Sequence, residues 1–187
     1  MANVNHNTLT DPYLHEPRGI STALAGQLYV ANGAGSGTWV ENSRIFGGYL
    51  TFSTGSPYAH SVTTSDTVLN PTFTSSVNNG FTGLSSPNAR VRYDGTETIN
   101  ALLDGSFSIQ QASGSVRQVE MCFYKNGTEL LGSRVIVTAT SGEWHNISFS
   151  YDTTLATNNY IEVFIKANSS ATINFAAGYL RIFGIAA

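Results

Sequence analysis

From about residue 42 to the C-terminus, apolar and polar residues alternate in short runs broken by Gly, Asn, Ser and Pro. In VRQVEMCFY, Val119, Met121 and Phe123 fall on one phase, and Glu120, Cys122 and Tyr124 on the other. In YIEVFIK, Ile161, Val163 and Ile165 alternate with Tyr160, Glu162, Phe164 and Lys166. In GYLRIFG, Leu180 and Ile182 alternate with Tyr179, Arg181 and Phe183. A period of two is that of a strand with two distinct faces. The runs predict strands at Phe46–Ser53, Asp66–Phe73, Ala89–Tyr93, Glu97–Ala101, Gly105–Gln110, Val116–Tyr124, Gly132–Ala139, Glu143–Tyr151, Tyr160–Lys166 and Thr172–Phe183. Asn126–Gly127 lies between two such runs, the signature of a two-residue hairpin turn with both residues at positive φ. Many short strands with regular turn signals imply an all-β antiparallel sandwich.

Residues 1–41 have a different texture. Their apolar residues follow no sustained period, and Pro12 and Pro17 interrupt any helix. Gln27–Val30 suits one short strand, followed by Gly33, Gly35 and Gly37 as a turned or extended connection. The expected organisation is an extended arm over 1–41 and a β domain over 42–187. Such an arm buries too little by itself to offset its ordering entropy, so it is expected to order against another surface.

The aliphatic phase of each strand is the expected core. The other phase carries Tyr124, Tyr160, Phe164, Tyr179 and Phe183, more large aromatics than a solvated face requires. Two explanations stand at this level: some of them cover a loop, or together they form a subunit interface, where aromatics anchor contacts.

Composition narrows the class of function. Charged residues make up 11% of the 187-residue chain, against about a quarter in an ordinary globular domain. Ser, Thr, Asn and Gly take their place. The net charge is −3 and the nine basic residues are scattered, so no electrostatic footprint for a nucleic acid is present. No apolar stretch approaches the ~20 residues of a membrane helix, and no secretion signal is expected in MANVNHNTLTDP. One cysteine, Cys122, allows no internal disulfide.

Catalytic patterns are weak throughout. His6, His15, His60 and His145 are far apart, and HEPRG lacks the second histidine of a zinc-protease helix. LYVANGAGSG has glycines but no following helix for a dinucleotide site, and no Lys–Ser/Thr for a phosphate loop. Asp66, Asp94, Glu97 and Asp104 lack the spacing of a calcium loop. Cys122, mid-strand between apolar neighbours, reads as structural. The expectation is a non-enzyme without cofactor or metal.

The segments Leu9–Pro12, His15–Gly19 and Tyr29–Trp39 spell LTDP, HEPRG and YVANGAGSGTW. They resemble the N-terminal arm of a family of tailed-phage virion proteins, capsid decoration (cement) proteins and head fibres. The β domain, through GGYLTFS, ARVRYDGTETINALLDGSFSI and VEMCFYKNGTELLGSRVIV, is similar to jelly rolls of the tumour-necrosis-factor and complement-C1q type. The resemblance implies a homotrimer on the outer surface of a phage head. Its arm would grip the major capsid protein through Tyr13, His15, Glu16, Pro17, Arg18, Gly19 and Ile20, with Trp39 closing the arm on the domain. Tyr124, Tyr160, Phe164, Tyr179 and Phe183 would meet near the threefold axis. The alternative is a tail-fibre or spike module binding a host-surface glycan, with Tyr58, His60, Trp144 and His145 as a sugar site.

Overall fold

The computed structural model describes residues 27–31, 37–41, 45–72, 74–84 and 90–187. The chain divides at Arg44/Ile45 into two compact units. In the first, β1 (Gln27–Ala31) and β2 (Gly37–Glu41) pair antiparallel. Tyr29 stands opposite Trp39 with the rings edge-on at 5.2 Å. The expected short strand is therefore present, and it has a partner that the glycine-rich sequence did not announce.

The second unit is a sandwich of strands β3 (Ile45–Val62), β4 (Thr67–Val68), β5 (Thr74–Asn79), β6 (Phe81–Leu84), β7 (Arg90–Tyr93), β8 (Ile99–Gln111), β9 (Arg117–Lys125), β10 (Thr128–Glu129), β11 (Val135–Ala139), β12 (His145–Leu155), β13 (Tyr160–Ala167) and β14 (Ala171–Ala186). One sheet runs β12-β8-β14-β3-β5. The other runs β10-β9-β13-β7-β6, with β11 also on β9 and β4 also on β13. The nested orders β3-β14-β8-β12 and β7-β13-β9-β11, with the chain crossing between the sheets at every step except the β9–β11 pair, form a TNF/C1q-like jelly roll. The expected fold class is the observed one.

The core is the aliphatic phase read from the alternation: Val119, Met121, Phe123, Ile161, Val163, Ile165, Leu180 and Ile182 are all buried. Aromatic rings fill its centre, where Phe123 and Phe149 from the two sheets meet at 4.5 Å. Phe107 packs against Phe52, Phe149 and Phe175. Glycines make room for these rings. A Cβ at Gly178 would lie 2.3 Å from the Phe107 ring and 2.9 Å from Phe52. The hairpin at Asn126–Gly127 has φ of 51° and 78°, the positive pair that the sequence implied.

Strand boundaries moved where polar signals misled. Glu97–Ala101 and Gly105–Gln110 are one strand, β8, because Asp104–Gly105 does not turn: Gly105 faces inward against Phe149 and Phe123. β3 does not stop at Ser53. Ser53 pairs with Ala177 and Tyr58 with Phe175, so residues 54–57 form an enlarged bulge after which the strand resumes. Of the described residues in the expected Asp66–Phe73 strand, only Thr67–Val68 form a ladder, and Phe73 lies outside the described residues. The paired β5 and β6 occupy the polar stretch that follows.

Gly178→Ala should destabilise the domain by about 1–3 kcal/mol, the cost of overpacking a filled core. Urea unfolding followed by fluorescence measures it. An unchanged midpoint would mean the Phe107 ring can yield.

Candidate functional site

Antiparallel register arranges the outward face of the five-stranded sheet in rows across β3, β14, β8 and β12. From the end where β3 begins, the rows are Ile45–Ile185–Asn100–Thr154, then Gly47–Phe183–Leu102–Asp152. Tyr49–Arg181–Asp104–Ser150 follows, then Thr51–Tyr179–Ser106–Ser148 and Ser53–Ala177–Ser108–Asn146. The face thus grades from apolar, through one ion pair, to hydroxyls and amides. Ile45, Leu102, Phe183 and Ile185 keep 59%, 43%, 43% and 45% of their surface exposed, in two adjacent rows. Fully burying such side chains is worth ~1.5–3 kcal/mol each, so their exposed halves together represent roughly 3–5 kcal/mol of unrealised burial.

The middle rows are held by a local network. Arg181 donates to the Asp104 carboxylate at 2.5 Å, and the Tyr179 hydroxyl donates to the same oxygen at 3.3 Å. Burial, followed by the Asp104 charge, raises the Tyr179 phenol above its ordinary value. Tyr49 and Tyr179 lie side by side, ring centres 5.8 Å apart. Further along, Ser106 and Ser148 share a hydrogen bond of 2.8 Å.

Of the five aromatics expected to share one interface, only Tyr179 and Phe183 lie here. Tyr124, Tyr160 and Phe164 belong to β9 and β13, on the outward face of the other sheet. The expected single cluster is therefore two, on opposite sides of the sandwich. The reason is topological: equal phase along two strands places residues on the same face only when the strands share a sheet. On the seven-stranded side, the aromatics have partners within the chain. Tyr124 and Phe164 stack at 3.8 Å, and the Arg90 guanidinium lies 4.2 Å above the Tyr160 ring.

Arg134 organises the charges beside that stack. It donates to Asp66 at 2.7 Å, Glu129 at 2.7 Å and Glu120 at 3.2 Å, while Lys166 reaches Glu120 at 3.2 Å. The Tyr124 hydroxyl donates to Asp66 at 2.9 Å. Burial opposes the charge of Asp66, but the hydrogen bonds from Arg134 and Tyr124 outweigh it and hold the carboxyl below its ordinary range. Burial and the Asp66 bond push the Tyr124 phenol up to about 12. Burial also pushes the Cys122 thiol up to about 12, which disfavours the nucleophilic thiolate.

The residues considered as a sugar site separate as well. Tyr58 and His60 are neighbours on β3. His145 pairs with Ile109 on β8, which pairs with Phe175, which pairs with Tyr58. Three strand spacings, about 14 Å of sheet, lie between the two groups. Tyr58 and His60 serve instead in a polar chain. Thr67 donates its only hydroxyl proton to the Ile165 carbonyl at 3.1 Å, so it accepts from His60 Nε2 at 3.2 Å. The Nδ1 of His60 then accepts the Tyr58 hydroxyl at 3.1 Å, and the Tyr58 oxygen accepts the backbone N–H of Asn70. The Nδ1 link needs His60 neutral, and burial lowers its basicity in the same direction.

Tyr13, His15, Glu16, Pro17, Arg18, Gly19 and Ile20 lie outside the described residues. Trp39 meets Tyr29 of its own hairpin, as given above. Sequence reading missed Ile45, Tyr49, Leu102 and Ile185. Leu102 was hidden because splitting β8 in two lost the phase of ALLDG, in which Leu103 points in and Leu102 out. Among the described residues, no group of three or more His, Cys, Asp or Glu is placed to hold a metal ion.

No protein-family model matches the chain, and no curated protein matches it in sequence. Solved structures of similar fold exist. Eiger TNF from S. frugiperda is 9% identical over 76% of this chain and 92% of its own, with a TM-score of 0.49. The PRD1 vertex protein P5 is 10% identical over 75% and 96%, with a TM-score of 0.45. The structure of infectious bursal virus derived T=1 particles is 9% identical over 84% of this chain and 40% of that chain, with a TM-score of 0.41. These are likenesses of fold between distant sequences, and no functional argument is taken from them.

Two outcomes test the polar clusters. A group whose pKa is lowered by folding binds protons more readily when unfolded, so a neutral His60 costs stability once pH falls below the ordinary histidine value. Denaturant melts at pH 7.5 and 5.0 should show this loss, reduced in His60→Gln; an identical loss in both proteins would refute it. Arg134→Met should cost about 2 kcal/mol at pH 7, discounted from the ~3–5 kcal/mol of a fully buried pair because its carboxylates are partly solvated. The depressed Asp66 carboxyl contributes stability above its unfolded pKa and loses it as pH falls through the folded one. The deficit of Arg134→Met should accordingly shrink toward pH 3, measured by the same melts.

Proposed function

We propose that this protein is a structural virion protein. It forms a homotrimer through the outward face of the five-stranded sheet and is anchored by its N-terminal arm to the major capsid protein of a tailed phage, whose head it decorates. The observation that carries this reading is the exposed stripe of Ile45, Leu102, Phe183 and Ile185, which a second copy would cover. The stripe lies at the end of the sheet where Ile45 begins the domain. Three arms acting together multiply weak single contacts by avidity. Within the arm, Arg18 and Glu16 suit charge-assisted hydrogen bonds to the shell, and Pro12 and Pro17 reduce the ordering cost of docking.

The subunit contact in this reading uses Tyr179 and Phe183, joined by Ile45, Tyr49, Leu102 and Ile185. Tyr124, Tyr160 and Phe164 stay on the trimer's exterior. The strand ends far from Ile45, with exposed Trp144 between β11 and β12, lie outside this contact.

Deleting residues 1–40 should abolish binding to arm-free capsids in a sedimentation assay, while light scattering still reports a trimer. A truncated trimer that co-sediments with capsids would overturn the arm's role.

A further inference from the structure

Beyond the row of Tyr49, Arg181 and Asp104, the outward face of the five-stranded sheet turns to short polar side chains. In the rows Thr51–Tyr179–Ser106–Ser148 and Ser53–Ala177–Ser108–Asn146, Tyr179 is the one large ring among hydroxyls, a methyl and an amide. β14 shifts register between Phe175 and Ala177 against both of its neighbours, and the residues that follow the shift, Ala177 and Gly178, are small. Side chains this short leave a hollow of about 250 Å³. Pockets for drug-sized ligands run from ~300 to ~1,000 Å³, so this one suits a single small ring.

The lining narrows the chemistry of an occupant. Among the described residues that line the hollow, none is charged, so an anion or a metal ion would find no counter-charge. The side chains of Ser53, Ser108 and Asn146 have no hydrogen-bond partner among the described residues. Ser106 and Ser148 bond to each other, and Thr51 donates to the Gly178 carbonyl at 3.3 Å, so these hydroxyls keep acceptor capacity. The Tyr179 hydroxyl is bound to Asp104, which fixes its ring as a wall. Two residues further along, about 7 Å, Gln110 stands opposite Asn174. Trp144 falls at the same level, because it precedes His145, which pairs with Ile109. It keeps 44% of its surface exposed, and among the described residues its indole N–H has no partner and its ring meets no other ring.

We propose that this hollow binds a neutral oligosaccharide, with one sugar ring seated against Tyr179 and the next over Trp144. Sugar hydroxyls donate and accept at once, and so do the serine hydroxyls and the Asn146 and Gln110 amides that meet them. The C–H faces of a sugar ring are apolar and pack on aromatic surface, which Tyr179 and Trp144 supply at the two ends. The uncharged lining selects a neutral sugar over a phosphorylated or acidic one. Of the residues considered for a sugar site from sequence, only Trp144 takes part, since Tyr58 and His60 are committed to Thr67 and Asn70. The site does not depend on the oligomeric state.

Nuclear magnetic resonance titrations of the isotope-labelled full-length protein test it, with maltotriose, cellotriose, mannotriose and tri-N-acetylchitotriose as probes. At least one should saturably shift the Trp144 indole N–H and the Asn146 side-chain amide, with a dissociation constant on the order of 1 mM. The amide of Ile136, on the other sheet, should not move. Trp144→Ala should weaken the binding about tenfold, the loss of one aromatic platform. Ala177→Leu, which fills the hollow, should abolish it, and Ile136→Ser should bind as the wild type does. Far-UV circular dichroism should show the same β signal in all three variants. No saturable shift with any of the four sugars overturns the proposal, as does undiminished binding by a folded Ala177→Leu. Undiminished binding by Trp144→Ala would overturn the second platform. Trigalacturonate binding more tightly than every neutral probe would overturn the choice of a neutral ligand.

Discussion

The constraint on which most of the molecule depends is the pairing of β14 along both of its edges, with β3 on one side and β8 on the other. A strand paired on both sides has no freedom of register: a slip by one residue would turn Leu180 and Ile182 outward and Arg181 inward. Gly178 and Gly184 tighten the constraint, since they sit where Phe107 with Phe52, and Ile99, fill the space of a side chain. Once β14 is fixed, the composition of every outward row is fixed. The juxtaposition of Phe183 with Gly47 and Leu102, and of Arg181 with Asp104, follows from it.

The two outward faces of the sandwich solve the same problem differently. On the seven-stranded side, Arg134 binds three carboxylates and the Tyr124–Phe164 stack lies beside them, so aromatics and charges find partners inside one subunit. Such an arrangement contributes modest net stability, because desolvation offsets much of the attraction, but it leaves little that another subunit could add. On the five-stranded side, the ion pair covers only the middle row. Among the described residues, nothing covers the apolar rows beneath it to the same extent, and Ile45, Leu102, Phe183 and Ile185 stay about half exposed.

His60 and Tyr58 show how a polar pair can be mistaken for a binding site. In sequence they are an aromatic and a histidine in a serine-rich stretch. In space the bulge at residues 54–57 re-aims the strand, so that the pair links β3 to Thr67 and, through it, to the Ile165 carbonyl of β13. Their hydrogen-bonding capacity is committed to joining the two sheets near their edge. The resulting preference for neutral His60 is a consequence of that structural duty.

Alternation in VRQVEMCFY, YIEVFIK and GYLRIFG determined which residues form the core and that the fold is an antiparallel sandwich, because side-chain phase is a local property of a strand. The Asn126–Gly127 turn was equally local, since positive φ at two successive residues is a demand that few residues meet. Sequence could also flag the outward aromatics as excessive. It could not sort them, since two strands of identical phase face the same way only if they lie in the same sheet, and sheet membership is a long-range choice. The tertiary structure alone separated Tyr124, Tyr160 and Phe164 from Tyr179 and Phe183, recovered Leu102 by joining β8 across Asp104–Gly105, and brought Ile45 and Ile185 together from opposite ends of the domain. Those contacts are made by pairing across more than a hundred residues of chain, as between Ile45 and Ile185. No periodicity along the sequence encodes them.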